Sequence, residues 1–264
     1  MGHDIERLAG SLERLHQKGD LADQSSKALE APNVKAAIAR GLGERSSADE
    51  LLLATILVDD SMSIAAHINE IRGGHNNMLA ALQNTTTSAE VRVQTRAFTQ
   101  GILSPYRPIA QAMVLDERTF SGRSLAQYTP LYQQSVITLG TVMAKTQDEE
   151  SRGAKVRTFT LIITDAEDNR SRDITAKDVH CIITDMTQYM TNHIVAGMGV
   201  GERPEARGFG QIFSDMGIQK RWQFTSACTS EEIRKEFERI VNDLQLAAAS
   251  ETEFLQLTAG SSDD

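Results

Sequence analysis

LLLATILVDDSMS (residues 51–63) is the stretch whose reading decides the fold. Residues 51–58 form an apolar run without strict alternation, the pattern of a central strand covered on both faces. The run stops at Asp59 and turns into acids and hydroxyls. Asp59-x-Ser61-x-Ser63 puts three oxygen groups on one tight turn, and alternate residues of an extended turn point the same way. A carboxylate with neutral hydroxyls suits a hard cation, which prefers oxygen ligands and keeps some of its waters. On local grounds alone, a cap for the following helix is the favoured reading of Asp59 and Ser61.

Outward from this stretch, apolar runs alternate with helical periodicity. Ile64, Ile68, Ile71, Met78, Leu79 and Leu82 fall at helical spacing, with Gly73 and Gly74 a weak point between them. Residues 91–98 and 109–114 are expected strands, separated by a turn near Ser104 and Pro105. Pro130 opens a helix carrying Leu131, Val136, Leu139 and Val142. TFTLIIT (158–164) is a second apolar strand ending at Asp165, and HIVAGMGV (193–200) is a third. A helix is expected over 175–190, a short one over 209–216 and a short strand over 222–225. A long amphipathic helix follows over 230–249, started by Ser230. Strands alternating with helices predict an α/β, Rossmann-like, doubly wound and mostly parallel sheet. Ligands of such sheets bind at the carboxyl ends of the strands, where Asp59 and Asp165 both fall.

Before residue 49 the pattern is helical. Ile5, Leu8, Leu12 and Leu15 make one apolar stripe, and a second helix begins at Pro32 with Val34, Ala37 and Ile38 inward. Residues 1–48 therefore read as a helical extension expected to pack on the main domain, residues 49–249 as that domain, and residues 250–264 as a frayed polar tail.

The 264 residues carry a net charge of −9, which argues against a nucleic-acid partner. No apolar run reaches the roughly 20 residues that span a bilayer. The first 20 residues lack the apolar core and cleavage site of a secretory signal. Cys181 and Cys228, two and far apart, read as reduced thiols. A cytoplasmic protein is expected.

Three pieces together resemble the von Willebrand factor type A (VWA) domain with a metal-ion-dependent adhesion site. They are DDSMS at 59–63, Thr129 in YTPLYQ, and Asp165 in LIITDAEDN. The resemblance covers roughly residues 51–246. It implies that Ser61 and Ser63 hold Mg²⁺ or Mn²⁺ directly, that Thr129 joins them with ligand bound, and that Asp59 and Asp165 act largely through water or the serines. It departs from the family at Ala166, where bacterial members often carry Gly, and at Tyr128, where Gly often precedes the threonine.

The resemblance implies a non-enzymatic, bacterial adaptor that binds an acidic side chain of a partner protein, with an AAA+ ATPase of the MoxR type as the candidate motor. An assembly factor like the chelatase subunits ranks lower, because the acidic or proline-rich linker and the ATPase-like portion are missing from the sequence. A Mg²⁺-dependent hydrolase ranks lowest, because His67, His75 and His193 form no constellation with the acids and no G-x-x-x-x-G-K-[ST] run is present. Asp60 reads as a solvent or supporting group, Asp168 and Asn169 as a turn or cap, and Met62 as an exposed rim residue.

Overall fold

The computed structural model describes residues 2–87, 89–121, 125–171, 173–188, 190, 192–201, 208–227 and 229–259. Among these, the strands β1 (Glu50–Val58), β2 (Glu90–Ala97), β3 (Gly101–Pro108), β4 (Lys155–Thr164), β5 (His193–Val200) and β6 (Gln223–Ala227) form one sheet in the order β3-β2-β1-β4-β5-β6. All neighbours are parallel except β2 and β3. The chain winds outward on both sides of β1, so the strand order switches between β1 and β4. This is the Rossmann-like α/β fold expected from the sequence.

The third strand differs from expectation. Residues 101–108 form it, with Ser104 and Pro105 inside rather than in a turn, and Ile109–Gln111 is a 3-10 turn. Proline is tolerated there because β3 is an edge strand, where a missing N–H breaks no inner ladder.

The helices are α1 (Gly2–Lys18), α2 (Asp23–Glu30), α3 (Pro32–Gly41), α4 (Ile68–Gln83), α5 (Leu131–Glu150), α6 (Ala176–Gln188), α7 (Phe209–Asp215), α8 (Ser230–Ala249) and α9 (Glu251–Ala259). A 3-10 turn over Met62–His67 leads into α4. Helix α4 runs unbroken through Gly73 and Gly74. A Cβ on Gly74 would stand 2.1 Å from Cδ2 of Phe237, so that glycine lets α8 approach closely. The cap of α8 is Thr229, not Ser230. The Thr229 hydroxyl accepts from the Glu232 N–H at 3.2 Å, and Glu232 accepts from the Thr229 N–H at 2.9 Å, a reciprocal capping box.

The tail expected to fray is α9 over residues 251–259, held by buried Phe254; residues 260–264 lie outside the described residues. Leu257 also packs against the core, and Arg221 donates to the Thr258 carbonyl at 3.1 Å. Helix α2, absent from the sequence reading, buries Ala28 and Leu29. The first helices share the main core: Leu8, Leu12, Leu15, Val34 and Ile38 are buried in one cluster with the sheet and α5. Ile5, expected in the same stripe, is exposed.

The two faces of the sheet differ. Ile56 and Val58 of β1, Val93 of β2, and Phe159, Leu161 and Ile163 of β4 share the face against α4, whose His75 reaches Thr95 at 2.9 Å. On the other face, Thr55, Gln94 and Thr160 lie in register under α3 and α5. Gln94 donates to the Gly41 carbonyl at 2.7 Å, and Thr55 pairs with the buried Tyr106 hydroxyl at 2.5 Å. The last turns of α5 are buried as well. Lys145, fully inaccessible, pairs with Glu149 at 2.6 Å and donates to the Glu44 carbonyl, while Arg7 and Arg45 both reach Asp148 at 2.7 Å. The N-terminal helices and the linker after α3 are therefore tied to α5 by ions as well as by apolar burial.

Candidate metal centre

β1 and β4 end side by side at the switch in strand order, with Val58 opposite Ile163 and the Asp59 N–H donating to the Ile163 carbonyl at 2.9 Å. The strand register thus delivers Asp59 and Asp165 to one rim. The Asp59 carboxylate is buried. It accepts the Ser61 N–H at 2.8 Å on Oδ1 and the Thr164 hydroxyl at 3.0 Å on Oδ2. The hydroxyls of Ser61 and Ser63 stand 2.8 Å apart, Ser61 buried and Ser63 exposed. Asp165 accepts the Glu167 N–H at 3.0 Å.

Electrostatics mark this rim. Burial pushes the Asp59 carboxyl up to about 7, with the neighbouring negative charge of Asp165 acting in the same direction; the bonds from Ser61 and Thr164 only partly offset them. Among the described residues no Lys, Arg or His pairs with either carboxylate. A divalent cation would relieve both the desolvation and the repulsion.

The loop that brings Thr129 is laced to both sides. The Met62 N–H donates to the Ala126 carbonyl and the Ala126 N–H to the Asp60 carbonyl, at 2.8 and 2.9 Å. Thr129 is buried; its N–H donates to Asn169 Oδ1 at 2.8 Å and its carbonyl accepts the Asn169 N–H at 3.1 Å. The structure thus links Asp59, Ser61 and Ser63 directly, sets Asp165 within electrostatic reach of Asp59, and fixes Thr129 between the two loops. Residues 122–124 and 172, within the expected specificity loops, lie outside the described residues, as does Cys228.

Asp60 is neither solvent-facing nor part of the cradle. It is buried and accepts the Thr99 N–H at 2.8 Å, the Thr99 hydroxyl at 2.6 Å and the Gln100 N–H at 3.2 Å, pinning the β2–β3 turn to the rim. Asp168 and Asn169 serve as turn and loop anchors, Asp168 accepting the Ser171 hydroxyl at 2.6 Å. Met62 is exposed, as expected. His75 and His193 sit in the core, each against a threonine, and His193 opens β5 at the end of the strand opposite the rim. The supporting roles of Thr99 and Thr164 went unread in the sequence, and Asn169 was read as a turn or cap without its bonds to Thr129. Thr164, directly before Asp165, was the one with a local signal.

Ala166 has φ 61° while buried, a left-handed conformation that costs an L-residue about 1–2 kcal/mol. Glycine's greater entropy loss returns roughly 0.5–1 kcal/mol of that gain. Ala166→Gly is therefore expected to raise the unfolding free energy by about 0.5–1 kcal/mol, measured as a higher urea midpoint at unchanged slope.

Fold and rim define a doubly wound α/β domain with a hydroxyl-and-carboxylate cradle at its switch point. No family model and no curated protein matches the chain. Several solved structures are similar to it at low identity. Proximal thread matrix protein 1 from the mussel byssus is 14% identical with a TM-score of 0.45, over 73% of this chain and 48% of that one. A von Willebrand factor type A protein from Catenulispora acidiphila is 12% identical with a TM-score of 0.42, over 74% and 43%. Manganese-loaded TRAP protein from Plasmodium vivax is 13% identical with a TM-score of 0.39, over 73% and 74%. The chain spans about half the length of the first of these. Similarity at this level says nothing about activity.

Proposed function

We propose that this chain is a VWA-type interaction module whose rim holds a divalent cation, Mg²⁺ or Mn²⁺, for capture of an acidic side chain from a partner protein. The observation that carries this reading is the desolvated Asp59 carboxylate beside Asp165, bonded to Ser61, whose hydroxyl meets that of Ser63, with no cationic side chain among the described residues to neutralise it. Among the described residues no group of three or more His, Cys, Asp or Glu side chains is placed to hold a metal, and the hydroxyls that the turn after Asp59 brings to the rim are those of Ser61 and Ser63.

The residues present fit such an ion. Ser61 and Ser63 would hold it, with Thr129 joining when the partner binds, and Asp59 and Asp165 would balance its charge. The ion would supply an electrophilic position for an external carboxylate. Neutral hydroxyl ligands leave that position attractive to an acid, whereas several direct carboxylates would quench it. Asp59 orients Ser61 through its N–H, and Thr164 fixes the Asp59 rotamer. The Asn169 contacts keep Thr129 at the rim.

The proposed reading is non-enzymatic: capture of an external carboxylate needs no base beside the metal, and His75 and His193 are held in the core. A cytoplasmic setting and an AAA+ motor of the MoxR type rest on the family resemblance alone; no helix among the described residues is long and apolar enough to cross a membrane.

Titration calorimetry is expected to show weak Mg²⁺ and Mn²⁺ binding, reduced at least about tenfold by Asp59→Asn and by Ser61→Ala. Far-UV spectra check that each variant is folded. Unchanged affinity in both variants would defeat the assignment. A pull-down with and without EDTA then separates metal-dependent partners from those held by α1–α3.

A further inference from the structure

The rim carries one feature that the metal cradle does not use. Tyr128, immediately before Thr129, is 44% exposed, and the exposed Arg170 guanidinium lies over its ring at 5.5 Å from the centroid. Their positions are fixed. Thr129 and Asn169 are joined by two hydrogen bonds, one to the Asn169 side chain and one between backbones, and Tyr128 and Arg170 are their sequence neighbours. The guanidinium over the Tyr128 ring therefore stands beside the segment that places Thr129 at the rim.

A guanidinium held over an aromatic ring is ordered while its N–H groups remain available to a ligand. That arrangement suits a carboxylate in two-pronged contact. The surroundings are otherwise acidic, with Asp165, Glu167 and Asp168 in the same loop. Among the described residues of that loop, Arg170 is the cationic side chain that an incoming acid meets.

We propose that Arg170, stacked on Tyr128, is a second carboxylate anchor, so that the partner segment presents two acidic groups, one for the metal and one for this guanidinium. This rests on the metal-site reading above and deepens it. Tyr128, at a position where the related domains often carry glycine, is then a positioning residue that orders Arg170.

The test uses the full chain with saturating Mg²⁺ and follows Tyr128 and Thr129 signals by NMR during titration with acetate, succinate, glutarate and adipate. At least one dicarboxylate is expected to bind five-fold or more tightly than acetate. Arg170→Gln should remove that preference and leave acetate affinity unchanged. Tyr128→Phe should keep the preference and Tyr128→Ala should lose most of it. Both side chains are exposed, and amide spectra confirm the fold of each variant. Equal binding of acetate and every dicarboxylate, or a preference that survives Arg170→Gln, overturns the second anchor while leaving the metal reading intact. Failure of acetate to bind the Mg²⁺-loaded protein overturns both.

Discussion

Asp148→Ala is expected to lower the unfolding free energy by about 3–5 kcal/mol, the usual consequence of removing one partner from a buried ion pair. Asp148 is inaccessible, Arg7 nearly so, and their side chains meet at 2.7 Å. Arg45 holds the other carboxylate oxygen at 2.7 Å from a half-exposed position. Burial alone would raise the Asp148 carboxyl, but the bonds from Arg45 and Arg7 outweigh it and hold the group at about 2. Its folded value is depressed, so its contribution is complete above the unfolded value near 4 and is lost only as pH falls through about 2. Neutral pH therefore shows the whole effect of the substitution. Urea unfolding monitored by circular dichroism measures it. A loss under about 1 kcal/mol would mean that Arg7 finds water and that α1 is not clamped by charge. Adding Arg7→Met to Asp148→Ala should recover part of the loss, since the uncompensated cation is then gone.

Acid is the second sensitive axis. Burial lowers His75 to about 4, with the bond to Asn76 opposing only slightly, and burial alone lowers His193 to about 4. Each imidazole is neutral in the fold and would be protonated in the unfolded chain below about 6.5. The unfolded state then binds more protons between pH 6.5 and 4. The stabilisation is thus fully present above pH 6.5 and declines toward pH 4, by about 2 kcal/mol for each histidine at pH 5. Asp59, raised to about 7, titrates in the opposite sense, so the comparison of pH 7.5 with pH 5 belongs in an Asp59→Asn background. A loss near 4 kcal/mol is expected there, with both ring signals staying neutral to about pH 5 by NMR. Ring titration near 6.5 would show that the two sites admit water.

The meeting of Asp59 and Asp165 was legible because both lie at strand ends. Apolar runs 51–58 and 158–164 each stop at an aspartate, and a parallel sheet brings such ends together. Helix α2 was missed because DQSSKALE has little periodicity, and α9 because Phe254 is its single buried anchor. The third strand was misplaced because Ser104–Pro105 resembles a turn, a local signal that edge position overrides.

By itself the sequence determined the alternation of strands and helices over residues 51–249, the mostly parallel sheet and the placing of Asp59 and Asp165 at strand ends, since these follow from periodicity and from where apolar runs end. It left undecided which polar residues are buried. In β2, Val91, Arg92, Val93, Gln94, Thr95, Arg96 and Ala97 are all buried, although alternation would leave half of them in water. The polar last turns of α5 are buried too. Only the tertiary structure settles this, because α3 and the linker after it cover Gln94, α4 covers Thr95, and α1 with the linker covers the end of α5. Groups distant in sequence replace water for several of them, the Gly41 carbonyl for Gln94 and the Glu44 carbonyl for Lys145, while Nε and Nη1 of Arg96 have no partner among the described residues.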